Sequence, residues 1–275
     1  MEKDYRSLFL SEGIDSVALL PFSECKVTLS GLLEKEDFRP ESAILFLIPY
    51  FGGFPENLSA YAAAEDYHLF VKALHEHLSP ALASLFPGYR FRAYADHSPI
   101  DERHAAVRAG LGVFGKNGLL LTEKYSSFQF IGEILTDAPT ALLGEYILHP
   151  LTSCEGCGSC LAACPTGILR GEGADCLSAI TQRKGELTET EMALIRRHHT
   201  VWGCDECQRV CPYTRRAMQS GSIYTSIPFF RENRIECLTA EMLSGMDKDT
   251  FRRRAFAWRG RKTVERNLAV LQKNK

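Results

Sequence analysis

The sequence predicts an α+β protein, with a mixed α/β part first and a cysteine-rich part after it. Three observations carry this. Up to about Pro150, short continuous apolar runs alternate with stretches of helical spacing. Beyond it, strand-like runs become rare and nine of the ten cysteines fall between Cys154 and Cys237. The chain has 275 residues, 45% hydrophobic and 24% charged, so it can bury a sizeable core without disulfide staples.

The elements follow in order. Ser42-Ala-Ile-Leu-Phe-Leu-Ile-Pro-Tyr50 is a continuous apolar run, which predicts a buried strand. From Ser59 to Phe86, residues Tyr61, Tyr67, Phe70, Leu74 and Leu78 recur near helical spacing, predicting a helix broken at Pro80. Tyr89 to Ala95 alternates large apolar with polar residues, the pattern of a half-buried strand. Ile100 to Ala109 reads as a helix with Pro99 near its start, and Gly118–Thr122 and Phe128–Leu135 as two more strands. The expected division is residues 1–150 as a mixed α/β domain, 151–218 as a cysteine domain and 219–275 as a basic helical segment.

Charge excludes some roles. Lys plus Arg is 32 against 34 Asp plus Glu, a net charge of −2, so the whole chain is no general polyanion binder. The positive charge is local: Thr250 to Lys275 holds nine Lys or Arg and one Glu. The start, MEKDYRSLFL, has no apolar signal core, and no run approaches the ~20 residues that span a bilayer. A cytoplasmic protein without a membrane segment is expected, and clustered cysteines there indicate metal or redox chemistry rather than disulfides.

The first cysteine motif is Cys154-x2-Cys157-x2-Cys160-x3-Cys164-Pro165, the iron–sulfur signature of bacterial ferredoxins. Closely spaced cysteines on a tight loop wrap three corners of a cubane, while the fourth reaches a second cluster. Gly156 and Gly158 relieve the tight wrapping, and Pro165 suits the first turn of a helix, where Cys164 is expected. The second motif, Cys204-x2-Cys207-x3-Cys211-Pro212, has three cysteines, and Cys176 is the natural fourth ligand. The expected sets are Cys154, Cys157, Cys160 and Cys211 for one [4Fe–4S] cluster, and Cys164, Cys176, Cys204 and Cys207 for the other. Structural zinc would not account for two C-x3-C-P tails. Cys25 and Cys237 stand alone and read as small buried hydrophobes.

A ferredoxin alone would need little beyond this region, so the preceding 150 residues should hold whatever the clusters feed. Gly110-x-Gly112-x-x-Gly115-Lys116-Asn117 superficially resembles a nucleotide loop. It lacks the phosphate-loop spacing, and a helix is expected before it where a dinucleotide fold needs a strand.

Several segments together resemble the epoxyqueuosine reductase family. They are Tyr61-Ala62 with Asp66-Tyr67-His68, Asp96-x2-Pro99-x2-Glu102-Arg103, Ala109 to Asn117, and Ser127 to Glu133. The cysteine region adds Cys164-Pro-Thr-Gly167, Cys176-Leu-Ser178 and Gly203 to Pro212, and Arg259 to Asn267 resembles the family's basic closing segment. The resemblance implies an oxidoreductase that uses cobalamin and two [4Fe–4S] clusters to reduce epoxyqueuosine in tRNA to queuosine. It implies an N-terminal cobalamin-binding domain followed by a two-cluster ferredoxin-like domain. The sequence ends without the helical-repeat domain that members commonly carry, so a short form is expected.

The resemblance also assigns residues. Asp96 is implied as the proton donor, its carboxyl kept protonated by burial against the corrin. Lys116, Asn117, Ser127 and Ser178 are implied cobalamin contacts. The basic C-terminal segment, with Arg252, Arg253 and Arg254, would hold tRNA phosphates, and an external low-potential donor would supply electrons. Two alternatives stay open: a related corrinoid reductase with a small-molecule substrate, and a corrinoid-reducing electron carrier.

Overall fold

Ser42–Pro49 is buried along its whole length and becomes the central strand of a four-stranded sheet. The computed structural model describes residues 4–272 in two compact units, one of residues 4–49 and 70–156, the other of residues 50–69 and 157–272.

In the first unit the strands are β1 (Val17–Pro21), β2 (Ser42–Pro49), β3 (Phe91–Tyr94), β4 (Val113–Phe114), β5 (Leu120–Leu121) and β6 (Gln129–Thr136). The main sheet has the order β1-β2-β6-β3, antiparallel throughout, while β4 and β5 form a separate short hairpin. In β2 the two faces diverge as the two-residue period requires. Ala43 and Leu45 pack with Leu20, Ile100, Ala105 and Leu135, under the helix Glu102–Arg108. Phe46 points the other way and tilts against Phe9, ring centroids 5.0 Å apart. Each fully buried aliphatic side chain here contributes roughly 1.5–3 kcal/mol. Opposite Phe46 stands Gly132, where any Cβ would lie 2.4 Å from the Phe46 ring, so the register requires glycine.

The helix expected to break at Pro80 does not break there: Tyr67–Leu85 is continuous, with Pro80 inside it. Pro80 is exposed, so its ring and the carbonyl it leaves unpaired face solvent, while Leu74, Leu78 and Leu82 hold the buried face. The interruption comes earlier, after the short helix Ala60–Ala63, where the Asp66 carboxylate accepts the His68 N–H at 3.0 Å.

The second unit is helical. Trp202, Phe251, Phe256, Val264 and Leu268 share one core with Leu58 and Ala62, and Leu177, Ile180, Ile195 and Val270 form another. The helix Arg261–Gln272 supplies residues to both, so the segment after residue 219 completes this unit rather than standing apart as expected. Residues 50–69 also belong here rather than with the first 150: Ser59 donates its N–H to the Trp202 carbonyl at 2.8 Å, and the Asn57 side chain brackets Leu238 through both amide atoms.

Candidate functional site

None of the ten cysteines is in a disulfide. The first motif winds through Gly156 and Gly158 at φ +73° and +79°, conformations an L side chain rarely adopts. Cys164 ends the helix Ser159–Ala163 rather than opening one, because Gly167, at φ +74°, turns the chain back at once. Burial pushes the Cys164 thiol up, but the N–H groups of Leu169, Thr166 and Gly167 and the Thr166 hydroxyl outweigh it and favour the thiolate. It is Cys211 that stands at a helix start, as the N-terminal flank of the helix Pro212–Ser220 with Pro212 in its first turn.

Cys204 and Cys207 flank the buried Asp205. Burial and neighbouring thiols push both cysteines up to about 12; Cys207 feels Cys176, Cys160 and Cys164. These thiols would shed protons on binding metal. In number and type the thiols fit iron–sulfur ligation.

Asp205 was not singled out by the sequence. It is 5% exposed, yet it accepts the Ser59 hydroxyl, the Ala60 N–H at 2.7 Å and the Gln208 side-chain amide at 3.0 Å. These donors let a carboxylate sit beside the second motif and bind the 57–61 segment to it. Gly203 makes the close approach possible, since a Cβ there would lie 2.4 Å from that of Ser59.

In the first unit, the glycine-rich segment 110–117 follows the helix Glu102–Arg108, as expected, and runs through β4 into the turn of the β4–β5 hairpin. Its strand β4 grips the start of the first motif: Phe114 donates to Thr152 at 2.9 Å and accepts from Cys154 at 2.8 Å. Lys116 lies against Gly156, with its ammonium 3.4 Å from where a Cβ would project. Asn117 turns its Oδ1 to the Leu119 N–H at 3.3 Å, and its buried Nδ2 has no hydrogen-bond partner. Ser127 is buried just before β6. Ser178 belongs to the second unit, where its hydroxyl accepts from Gln182 at 2.8 Å and lines a cavity of about 570 Å³ with Cys176, Lys184 and Arg259.

Asp96 lies two residues beyond β3, at φ +63°, and is exposed. Its N–H donates to Glu102 Oε1 at 2.8 Å. The buried carboxyl expected at Asp96 is found instead behind it: Glu133, on β6, has no exposure at all and faces Glu102. Burial, then the charge of Asp96, pushes Glu102 up to about 7, and burial with the Glu102 charge pushes Glu133 well above its ordinary value.

Residues 153–214 match the profile of a 4Fe-4S double cluster binding domain. The epoxyqueuosine reductase of Listeria monocytogenes is 32% identical over 211 residues, covering 75% of this chain and 54% of that protein. The enzyme of that name from Gloeobacter violaceus is 35% identical over 204 residues, covering 71% and 61%. Over about three quarters of its length the chain is similar to epoxyqueuosine reductases. It spans about half the length of the curated relatives it matches. An epoxyqueuosine reductase crystallised with an epoxyqueuosine-modified tRNA-Tyr stem loop shares the fold, with a TM-score of 0.78 at 22% identity over 98% of this chain and 80% of that one. The Streptococcus thermophilus epoxyqueuosine reductase does so at 0.74 and 20%, over 100% and 81%.

The basic C-terminal run is more structural than its sequence suggests. Arg253 pairs with Glu65, Arg254 donates to the Asn233 carbonyl at 2.6 Å, and Arg261 donates to the Met246 carbonyl at 2.7 Å. Arg259 and Lys262 instead line an open cavity of about 850 Å³ with Lys184 and Arg266. No helix among the described residues is long and apolar enough to cross a membrane.

Proposed function

We propose that this protein is a cytoplasmic oxidoreductase that reduces epoxyqueuosine in tRNA to queuosine, using cobalamin and electrons relayed through two [4Fe–4S] clusters from an external donor. What carries the reading is one pairing on a single chain: the double-cluster segment at 153–214, and a family-like acid turn at Asp96. The proposed cluster ligands are Cys154, Cys157, Cys160 and Cys211 for one cluster and Cys164, Cys176, Cys204 and Cys207 for the other. Lys116, Asn117, Ser127 and Ser178 are the proposed cobalamin contacts; the unpartnered Asn117 Nδ2 is a donor suited to a corrin amide.

Cobalamin, when bound, supplies the low-potential reductant for the carbon–oxygen bond, which is chemistry no side chain offers. The chain's own residues do the rest. Asp96 donates its proton to the oxygen that develops negative charge as the epoxide opens, and Glu102 fixes the backbone from which it does so. Lys184, Arg259 and Lys262 meet phosphates by charge, at a surface whose basic character the net charge of the chain conceals.

The decisive experiment is anaerobic reconstitution with cobalamin and clusters, then incubation with tRNA from cells that accumulate epoxyqueuosine. Mass spectrometry of the nucleosides should show queuosine replacing its epoxide. Cluster oxidation without nucleoside conversion would refute the reading in favour of an electron carrier.

A further inference from the structure

Two carboxylates do not rest against each other inside a protein unless something holds them there. Glu133 is completely buried on the face of β6 that the helix Glu102–Arg108 covers, opposite Leu45 and Tyr94. Neither of its oxygens receives a well-formed hydrogen bond, though the side chain faces Glu102 and Ser98. The titratable groups that act on the pair are Asp96 and Asp101 on the Glu102 side, and Cys25 and Tyr94 on the Glu133 side. The cations nearby are one group removed: Lys26 stands 3.9 Å from Asp101, and Arg92 acts on Tyr94. The missing hydrogen bond is one that a proton on either carboxyl would make.

The same Glu102 accepts the Asp96 N–H. Asp96 needs that contact: at φ +63° it occupies the left-handed region, which costs an L residue and persists only where its surroundings hold it.

We propose that Glu102 and Glu133 share one proton at neutral pH, and that in this state Glu102 anchors the Asp96 turn in the orientation from which the acid acts. Glu102 is a positioning residue, and loss of the shared proton releases the turn. The proposal rests on the reading of Asp96 as the acid. With a proton between the carboxyls, Glu102 is fixed between Glu133 and the Asp96 amide. Once the proton leaves, two buried charges repel, Glu102 moves toward water, and the Asp96 N–H loses its acceptor.

Glu102→Gln tests this cleanly. The amide still accepts from Asp96 and donates to an ionised Glu133, but it does not titrate. In the reconstituted holoenzyme, kcat of the parent should fall as pH rises through about 7, whereas kcat of Glu102→Gln should hold over that range. Glu102→Ala should lower kcat about tenfold below pH 7, the scale of losing the anchor of one strained residue, and the gap to the parent should close above it, with KM for tRNA unchanged. Infrared titration of the parent should show a protonated carboxyl disappearing near pH 7, and in Glu102→Gln that titration should move away from the parent's, because Glu133 is then the only ionisable member of the pair. A Glu102→Gln profile that tracks the parent, or no protonated carboxyl in the parent just below that pH, overturns the pair. Should the parent not act on epoxyqueuosine at all, the proposed function falls, and the pair is judged by infrared titration and by amide exchange at Asp96. Faster exchange in Glu102→Ala sustains the anchor, and unchanged exchange refutes it.

Discussion

Arg254 donates to the carbonyl oxygen of Asn233 at 2.6 Å and is 9% exposed, although it lies in the most basic stretch of the chain. Its neighbour Arg253 is held by Glu65 through two hydrogen bonds, and Arg252 stands near Asp249. Charge density along a sequence does not say which cations face water. Here burial takes Arg254 from any phosphate, and Glu65 competes for the exposed Arg253.

That sorting gives the first prediction. Replacing Arg259 and Lys262 with Ala should weaken tRNA binding and reduce the salt slope by roughly two phosphate contacts, with the fold intact. Arg254→Ala should instead destabilise the protein by about 1–3 kcal/mol, since it takes the donor from a partly buried carbonyl. Binding isotherms at several salt concentrations, alongside urea unfolding, separate the two effects. Equal losses of affinity for both variants would mean that the cavity residues have no special part in RNA binding.

The second prediction concerns the thiols. Anaerobically purified protein should carry about eight irons per chain, and Cys176→Ala about half as many. Cys25→Ala should leave iron unchanged. Burial, with Glu133 and Glu24 nearby, pushes Cys25 up to about 12, so it stays an unreactive thiol at neutral pH. Iron and sulfide assays decide this, and a full complement in Cys176→Ala would remove that residue from the ligand set.

Much of this was legible in the sequence. The apolar run of β2 and the alternation of β3 announced their strands, because burial on both faces or on one leaves a pattern that survives without a structure. The cysteine spacing announced the clusters, because ligand geometry is written in short intervals. What stayed hidden depends on contacts distant in sequence. Asp205 takes its donors from Ser59 and Ala60, some 145 residues away, and no local pattern reports that. Glu133 reads as an ordinary polar residue in an alternating strand until the helix Glu102–Arg108 covers its face. Pro80 misled because a proline's cost depends on whether its side of the helix is wet.

The third prediction tests the acid. Asp96→Asn preserves size and the backbone contact to Glu102 but has no proton to deliver, so turnover should fall by roughly 10²-fold or more. Iron content and tRNA affinity should not change. Single-turnover conversion measured by nucleoside mass spectrometry gives the answer. Near-parental rates would assign the proton to another group or to water.

The last prediction follows from the Glu102–Glu133 pair without reference to catalysis. In the unfolded chain a glutamate has its ordinary value near 4.5, whereas burial raises Glu102 to about 7 and lifts Glu133 well above its ordinary value. Between those limits the folded protein binds more protons than the unfolded chain, so stability falls as pH rises. The contribution is fully present below about 4.5 and is lost progressively as pH climbs through 7, opposite in sign to a salt-bridged carboxylate. The loss amounts to a few kcal/mol at most. Glu133→Gln keeps the volume of the buried side chain and cannot ionise, so it should flatten this dependence. Relative to the parent it should gain stability at pH 8 and gain little near pH 5. Urea midpoints at matched salt, followed by hydrogen exchange of the β6 amides to localise the change, provide the measurement. Parallel pH curves for parent and Glu133→Gln would show that the buried carboxyl stays in one protonation state across the range.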